Sequence, residues 1–168
     1  RYRYASGNTI VRIYGLMADG LYQSNDFNVD GTLRPGLPVS TYRSNVQPGD
    51  VKYVDLNGDG RIDANDCAYQ LYAALPQIYY GFNIELEWRG FGLNAYFQGM
   101  GRSTVTTTLA SIYQPLYGNE RNISEHYMEN RWSPYNTSGH YPRLPTQSNA
   151  NNFAPSSLWT ECGDFLQL

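Results

Sequence analysis

Between Tyr80 and Gln98 the chain keeps a strict alternation that leaves few folds open to it. Tyr80, Phe82, Ile84, Leu86 and Trp88 fall on one side, while Asn83, Glu85, Glu87 and Arg89 fall on the other. A period of two is the signature of a strand; a helix would scatter the same residues around its axis. Gly90 then permits a tight turn, after which Leu93, Ala95 and Phe97 alternate with Asn94, Tyr96 and Gln98. The segment 79–99 is therefore expected to be a β-hairpin with one apolar and one polar face. Its first strand has the length, about 9–11 residues, that a tilted strand needs to cross a bilayer. Trp88 and Phe91 stand at the turn, where an interfacial aromatic girdle would lie. In a soluble sandwich the same apolar face would be the core, and its polar reverse would meet solvent.

The remaining layout is asymmetric. A strand is expected at about 8–15, with Val11 and Ile13 on one face and Ile10, Arg12 and Tyr14 on the other, running into Gly15. A long connection, 16–78, follows; it is rich in Gly, Asn, Asp, Ser and Pro, with turns at Pro35-Gly36 and Pro48-Gly49. Val51, Tyr53 and Asp55 read as a short strand inside it. After the hairpin a second long connection, 100–162, holds one helix candidate between Ile123 and Trp132, capped by Ser124 and stopped by Pro134. The rest of it, with Pro142, Pro145, Pro155 and several asparagines, reads as irregular loop. A strand begins again at 163–168. Short turns at one end and long polar connections at the other are the asymmetry of outer-membrane barrels. The fold class expected is all-β: a fragment of a large antiparallel transmembrane β-barrel with long extracellular loops. The opening Arg1-Tyr2-Arg3-Tyr4, without an initiator methionine, reads as the edge of a piece of something longer.

Composition removes several function classes. The net charge of −3 and pI near 5.3 supply no basic field for nucleic acid. The absence of any run of about 18 apolar residues excludes a membrane-crossing helix but not a barrel strand. Tyrosine dominates the aromatics, 16 against 6 phenylalanines, and its amphipathic ring suits wet interfaces, carbohydrate contacts or a headgroup belt. Cys67 and Cys162 have no metal-type spacing; a disulfide between them and two separate thiols are both readings of the sequence. His126 and His140 read as surface histidines. No GxSxG elbow occurs, and Glu85 with Glu87 is explained more simply as alternating polar positions than as a glycosidase pair. No enzyme is expected. Asn122 and Asn136 begin N-x-S patterns that carry little weight in a bacterial context.

One loop has chemistry of its own. In Asp55-Leu56-Asn57-Gly58-Asp59-Gly60-Arg61-Ile62-Asp63-Ala64-Asn65-Asp66, oxygen-bearing side chains occupy positions 1, 3, 5, 9 and 12, and glycine sits at 6. That spacing lets a single loop wrap Ca²⁺ through Asp55, Asn57, Asp59, Asp63 and Asp66, with the Arg61 carbonyl at position 7. Asp66 is shorter than the usual glutamate at position 12, so weaker binding is expected. The alternative is a metal-free turn held by its own Asx hydrogen bonds. Either way the role is structural. Loop aromatics Tyr22, Tyr42, Tyr113, Tyr117, Tyr135, Tyr141 and Trp159 are candidates for stacking sugars or aromatic side chains, with packing of the loops the commoner fate of any one.

The order of motifs resembles a known family. The run Pro48-Gly49-Asp50-Val51-Lys52-Tyr53-Val54-Asp55 into Asp63 is similar to a hallmark stretch of the SusC/RagA-type TonB-dependent outer-membrane transporters. Tyr14-Gly15 with Asp19-Gly20-Leu21-Tyr22, the hairpin Tyr80-Gly81-Phe82-Asn83 to Tyr96-Phe97-Gln98-Gly99, Arg131-Trp132-Ser133-Pro134, Tyr141-Pro142-Arg143-Leu144 and Asp164 to Leu168 resemble other pieces of it in order. Cys67-Ala68-Tyr69-Gln70-Leu71 and Gln167 depart from the usual pattern. The resemblance implies a late part of a barrel of roughly 22 strands, in the outer membrane of a bacterial cell. It also implies membrane lipid around the wall, a SusD-like surface lipoprotein as partner, oligosaccharide or peptide as cargo, and TonB acting through segments this sequence lacks. The competing reading is a soluble, Ca²⁺-stabilised carbohydrate-binding or adhesion β-domain with a dockerin-like loop.

Overall fold

The computed structural model describes residues 11–107, 123–145 and 149–168. Ile10, Tyr113, Tyr117 and Asn122, to which the sequence assigned roles, lie outside these, as does the expected strand start at 8–10. The described residues are all-β apart from short helical turns. Their strands are β1 (Arg12–Leu16), β2 (Ala18–Leu21), β3 (Val39–Ser40), β4 (Val51–Tyr53), β5 (Arg61–Ile62), β6 (Cys67–Ala73), β7 (Ile78–Trp88), β8 (Phe91–Gly101), β9 (Thr104–Thr106), β10 (Thr160–Cys162) and β11 (Phe165–Gln167). The pairs β2–β4, β7–β8, β8–β11 and β9–β10 are antiparallel and β3–β5 is parallel, and no barrel closes among the described residues. The chain divides into two compact units.

One unit contains Gln70–Thr106 and Thr160–Leu168. Its centre is the β7–β8 hairpin, paired from Ile78↔Gly101 to Trp88↔Phe91, with β11 added along β8. The two-residue turn has φ of 49° at Arg89 and 85° at Gly90. Positive φ at both positions gives a primed hairpin turn, whose twist matches that of the strands it joins. Residues directly opposite share a face, so Phe82 meets Phe97, Ile84 meets Ala95 and Leu86 meets Leu93. Phe82 and Phe97 stack with ring centroids 4.5 Å apart. Opposite Tyr80 stands Gly99, where any Cβ would collide with the Tyr80 ring; the ring lies across the glycine, and its hydroxyl donates to the Phe165 carbonyl at 2.9 Å. The aromatic-glycine pairing in the motif thus ties β7 to β11 over β8. A second antiparallel ribbon joins β9 and β10.

The other unit contains Tyr14–Tyr69 and described residues of Thr107–Trp159. What the sequence presents as two long connections is here a folded body with its own core. Leu16, Val51, Tyr53, Ile62 and Ala154 form one cluster, Tyr22, Phe27 and Val46 a second, and Tyr127, Tyr141 and Trp159 a third. Its strands are short, β2 against β4 and β3 against β5. The helix expected within 123–132 forms as α1 (Glu125–Asn130), and the Ser124 hydroxyl accepts from Tyr127 N at 3.2 Å as the cap. The segment 149–159 is irregular in hydrogen bonding, yet Asn149, Asn151, Asn152 and Trp159 from it all lie within the core. Apart from Val51 and Tyr53, which alternate along β4, the core residues of this unit are scattered along the chain, so no long pattern in the sequence announces them.

Candidate functional site

The hairpin presents a chemically two-sided surface. Every residue of β7 is exposed, including the apolar ones: Phe82 is 48%, Ile84 42% and Leu86 58% accessible. Eleven residues at about 3.4 Å each reach about 37 Å, or about 26 Å when tilted by about 45°, close to an apolar membrane band. At the turn Trp88 and Phe91 are exposed too, and the Arg89 guanidinium sits 4.9 Å from the Trp88 ring centroid. The opposite face carries Asn83 across from Tyr96, and Glu85 across from Asn94. One side is suited to hydrocarbon and the other to water.

The acidic loop closes on its own hydrogen bonds. Asp55 accepts from Gly58 N and Gly60 N, each at 2.7 Å, one on each carboxylate oxygen. Desolvation would raise the Asp55 pKa, but the amides of Gly60, Gly58, Asp59 and Asn57 together hold it below the usual carboxylate value. Asn57 accepts from Asp59 N at 2.9 Å and donates to Asp59 Oδ2 at 3.0 Å; Asp59 Oδ1 accepts from Arg61 N at 2.8 Å. Asp63 caps the short helical turn that follows, accepting from Asn65 N. Asp66, fully buried, locks the ends together by accepting from Leu56 N at 3.0 Å and Asp63 N at 2.8 Å. An all-oxygen donor set suits a hard cation such as Ca²⁺. The carboxylates here accept from backbone amides, and among the described residues no group of three or more His, Cys, Asp or Glu side chains is gathered. The geometry is that of an Asx-stabilised turn.

Sequence reasoning missed the most connected polar group in the loop unit. Asp50 is fully buried and receives, on Oδ1, the Arg143 Nε at 2.7 Å, Asn149 Nδ2 at 3.1 Å and Asn152 Nδ2 at 3.0 Å. Its Oδ2 accepts from Gln47 N at 3.0 Å. The neighbouring asparagines pair with the backbone of β4: Asn152 Oδ1 accepts from Val51 N, and Asn151 Nδ2 donates to the Val51 carbonyl. Tyr53 donates its hydroxyl to the Asn151 carbonyl at 2.5 Å, and Trp159 Nε1 donates to that of Asn152 at 2.8 Å. Gly49, with φ of 85°, lies under the Trp132 ring, where a Cβ would overlap it. The Pro-Gly-Asp run is therefore an anchor that stitches two distant stretches of chain together. The available signal was the co-occurrence of a Gly-Asp turn, an isolated arginine and an asparagine-rich run (149–152), none of which has a period.

For three of the loop aromatics burial favours the packing reading over the stacking one. Tyr22, Tyr141 and Trp159 are core residues, because each ring is enclosed by other rings: Tyr22 by Phe27, Tyr141 by Tyr127, and Trp159 by Tyr141 and Phe153. Burial raises the Tyr22 hydroxyl pKa to about 12, with Asp26 and Asp50 adding to the effect. Tyr42 is half-buried and Tyr135 fully exposed at a turn tip. His126 and His140 are exposed and meet the edge of Tyr141. Cys67 and Cys162 are not joined to each other. A cleft of about 510 Å³ in this unit is lined by residues including Leu21, Gln23, Thr137 and His140.

No protein-family model matches the chain. Two receptors of Formosa agariphila do. It is 30% identical over 138 residues to "TonB-dependent receptor P3", covering 82% of this chain and 12% of that protein. It is 30% identical over 132 residues to "TonB-dependent receptor P26", covering 79% of this chain and 13% of that protein. The chain thus spans about an eighth of the length of the relatives it matches. These matches, over four fifths of the chain, support its being a fragment of a TonB-dependent receptor.

Proposed function

We propose that this chain is part of an energised outer-membrane importer of the SusC/RagA type and performs no catalysis. In this reading the hairpin 79–99 and the strands at 8–15 and 163–168 are barrel wall, and the stretches 16–78 and 100–162 form the extracellular mouth. The observation that carries it is the exposed apolar face of Phe82, Ile84 and Leu86, backed by a polar face, on strands long enough to cross a bilayer. A soluble carbohydrate-binding or adhesion domain would have to bury that face. The similarity to TonB-dependent receptors supports uptake driven by TonB, through segments outside this sequence. A SusD-like lipoprotein over the mouth and a cargo of oligosaccharide or peptide rest on the motif resemblance. For the Asp55–Asp66 loop we propose a structural role, with Ca²⁺ as the cation its oxygen set would take.

The test is extraction and partner capture from the native outer membrane. A detergent requirement, with a surface lipoprotein co-purifying, supports the proposal. A monodisperse, detergent-free protein in which Phe82, Ile84 and Leu86 are shielded from collisional quenchers sinks it. For the loop, a thermal melt with and without a chelator reads the cation: a higher melting temperature in Ca²⁺ supports it, and superimposable curves retire it.

A further inference from the structure

We propose that Asn57-Gly58 is a deamidation site held inactive by the Asp55 carboxylate. It is the one Asn-Gly dipeptide in the sequence, and glycine after asparagine removes the side chain that ordinarily hinders the reaction. The step is an internal substitution. Gly58 N gives up its proton and attacks Asn57 Cγ; the new N–Cγ bond forms, the Cγ–Nδ2 bond breaks, and ammonia leaves with that proton. Water then opens the cyclic imide, at Cγ to give aspartate or at the backbone carbonyl to give isoaspartate. No oxidant or reductant takes part.

Both reacting groups are engaged elsewhere in the loop. The Gly58 N–H donates to Asp55 Oδ1 at 2.7 Å, and a carboxylate at that distance opposes removal of the proton the reaction must lose. The Asn57 amide is clamped by two contacts to one residue: Nδ2 donates to Asp59 Oδ2 at 3.0 Å, and Oδ1 accepts from Asp59 N at 2.9 Å. The second contact polarises the Cγ carbonyl and alone would assist attack. The clamp nevertheless turns the amide toward Asp59, while the nucleophile's hydrogen points to Asp55. Exposure does not protect the site, since Asn57 and Gly58 are both exposed; the hydrogen bonds do. Conversion would also remove a donor and set a new carboxylate oxygen against Asp59 Oδ2, so the aged loop would open and carry one more negative charge.

The experiment follows Asn57 by peptide-mapping mass spectrometry with isoaspartate detection in mildly alkaline buffer. It compares the intact chain in detergent with a synthetic 53–62 peptide. Asn57 in the chain is expected to persist at least about tenfold longer than in the peptide, since reaction must wait for local opening. Asp55→Asn is expected to shorten that lifetime by about fivefold or more. Equal lifetimes in chain and peptide overturn the proposal, and so does an Asp55→Asn chain that ages like the parent. Should Asp55→Asn unfold the unit, as read from the near-ultraviolet signal of its buried tryptophans, Asp59→Ala serves instead. It leaves Asp55 in place and removes the Nδ2 contact, while the residue-59 backbone N–H still meets Asn57 Oδ1: faster loss supports the clamp, and unchanged loss overturns it.

Discussion

Asp50 shows how a single residue organises the loop unit. A buried carboxylate is costly unless paired and hydrogen-bonded, and Asp50 has Arg143, two asparagine amides and a backbone N–H to offset that cost. Asp50→Ala leaves the Arg143 guanidinium, 20% exposed, facing amides that have lost their acceptor. It is expected to destabilise the unit by about 3 kcal/mol in chemical denaturation, with Asp50→Asn less damaging. Gly49→Ala next door requires both a left-handed backbone and room taken by Trp132, and is expected to lower stability by about 2 kcal/mol in the same assay. Asp55 gives a pH signature. Its folded pKa is depressed, so its contribution is present above the unfolded value and is lost as pH falls through the folded one. Protection of the Gly58 and Gly60 amides against hydrogen exchange, taken relative to their intrinsic rates, should hold at neutral pH and be lost only below the ordinary carboxylate range. The acidic spacing of this loop was legible in the sequence; which backbone amides its carboxylates meet was not, because that depends on how the turn closes.

The hairpin is the element whose sequence and structure agree most directly. Its two faces, its turn at Arg89-Gly90 and its partner residues follow from a pattern of period two, which is local and survives any tertiary context. The addition of β11 is signalled only by Gly99, small enough to let Tyr80 lie across β8 and reach Phe165. Substitutions on the two faces separate lipid contact from mere exposure. Ile84→Arg, near the middle of β7, is expected to weaken refolding into phospholipid vesicles by about 2–4 kcal/mol, while Glu85→Arg on the reverse face costs close to nothing. Equal effects at the two positions, measured by denaturant titration in vesicles, would remove the assignment of faces. The helix α1 was legible for a similar reason, since Ser124 and Pro134 mark its limits within a few residues.

At the scale of the whole chain, the two units depend on different physics. The hairpin unit has little interior and exposes its apolar side; the loop unit has three aromatic and aliphatic clusters and a polar knot. Trp159 stacks on Tyr141 and Phe153 and donates to Asn152, so Trp159→Ala is expected to cost about 3–5 kcal/mol in the loop unit. The strand signal of the hairpin in detergent should persist through that loss, giving two separable transitions by circular dichroism in place of one. The sequence by itself determined the strands of the hairpin, the placement of its apolar residues on one face, the acidic loop and the order of motifs, because each is written in neighbours a few residues apart. Only the tertiary structure decided that Tyr22, Tyr141 and Trp159 are core and that Asp50 is buried. The partners that make Asp50's burial affordable, Asn149 and Asn152, lie 99 and 102 residues away along the chain. A polar group's place inside or outside is set by whether such partners arrive, which no local pattern records.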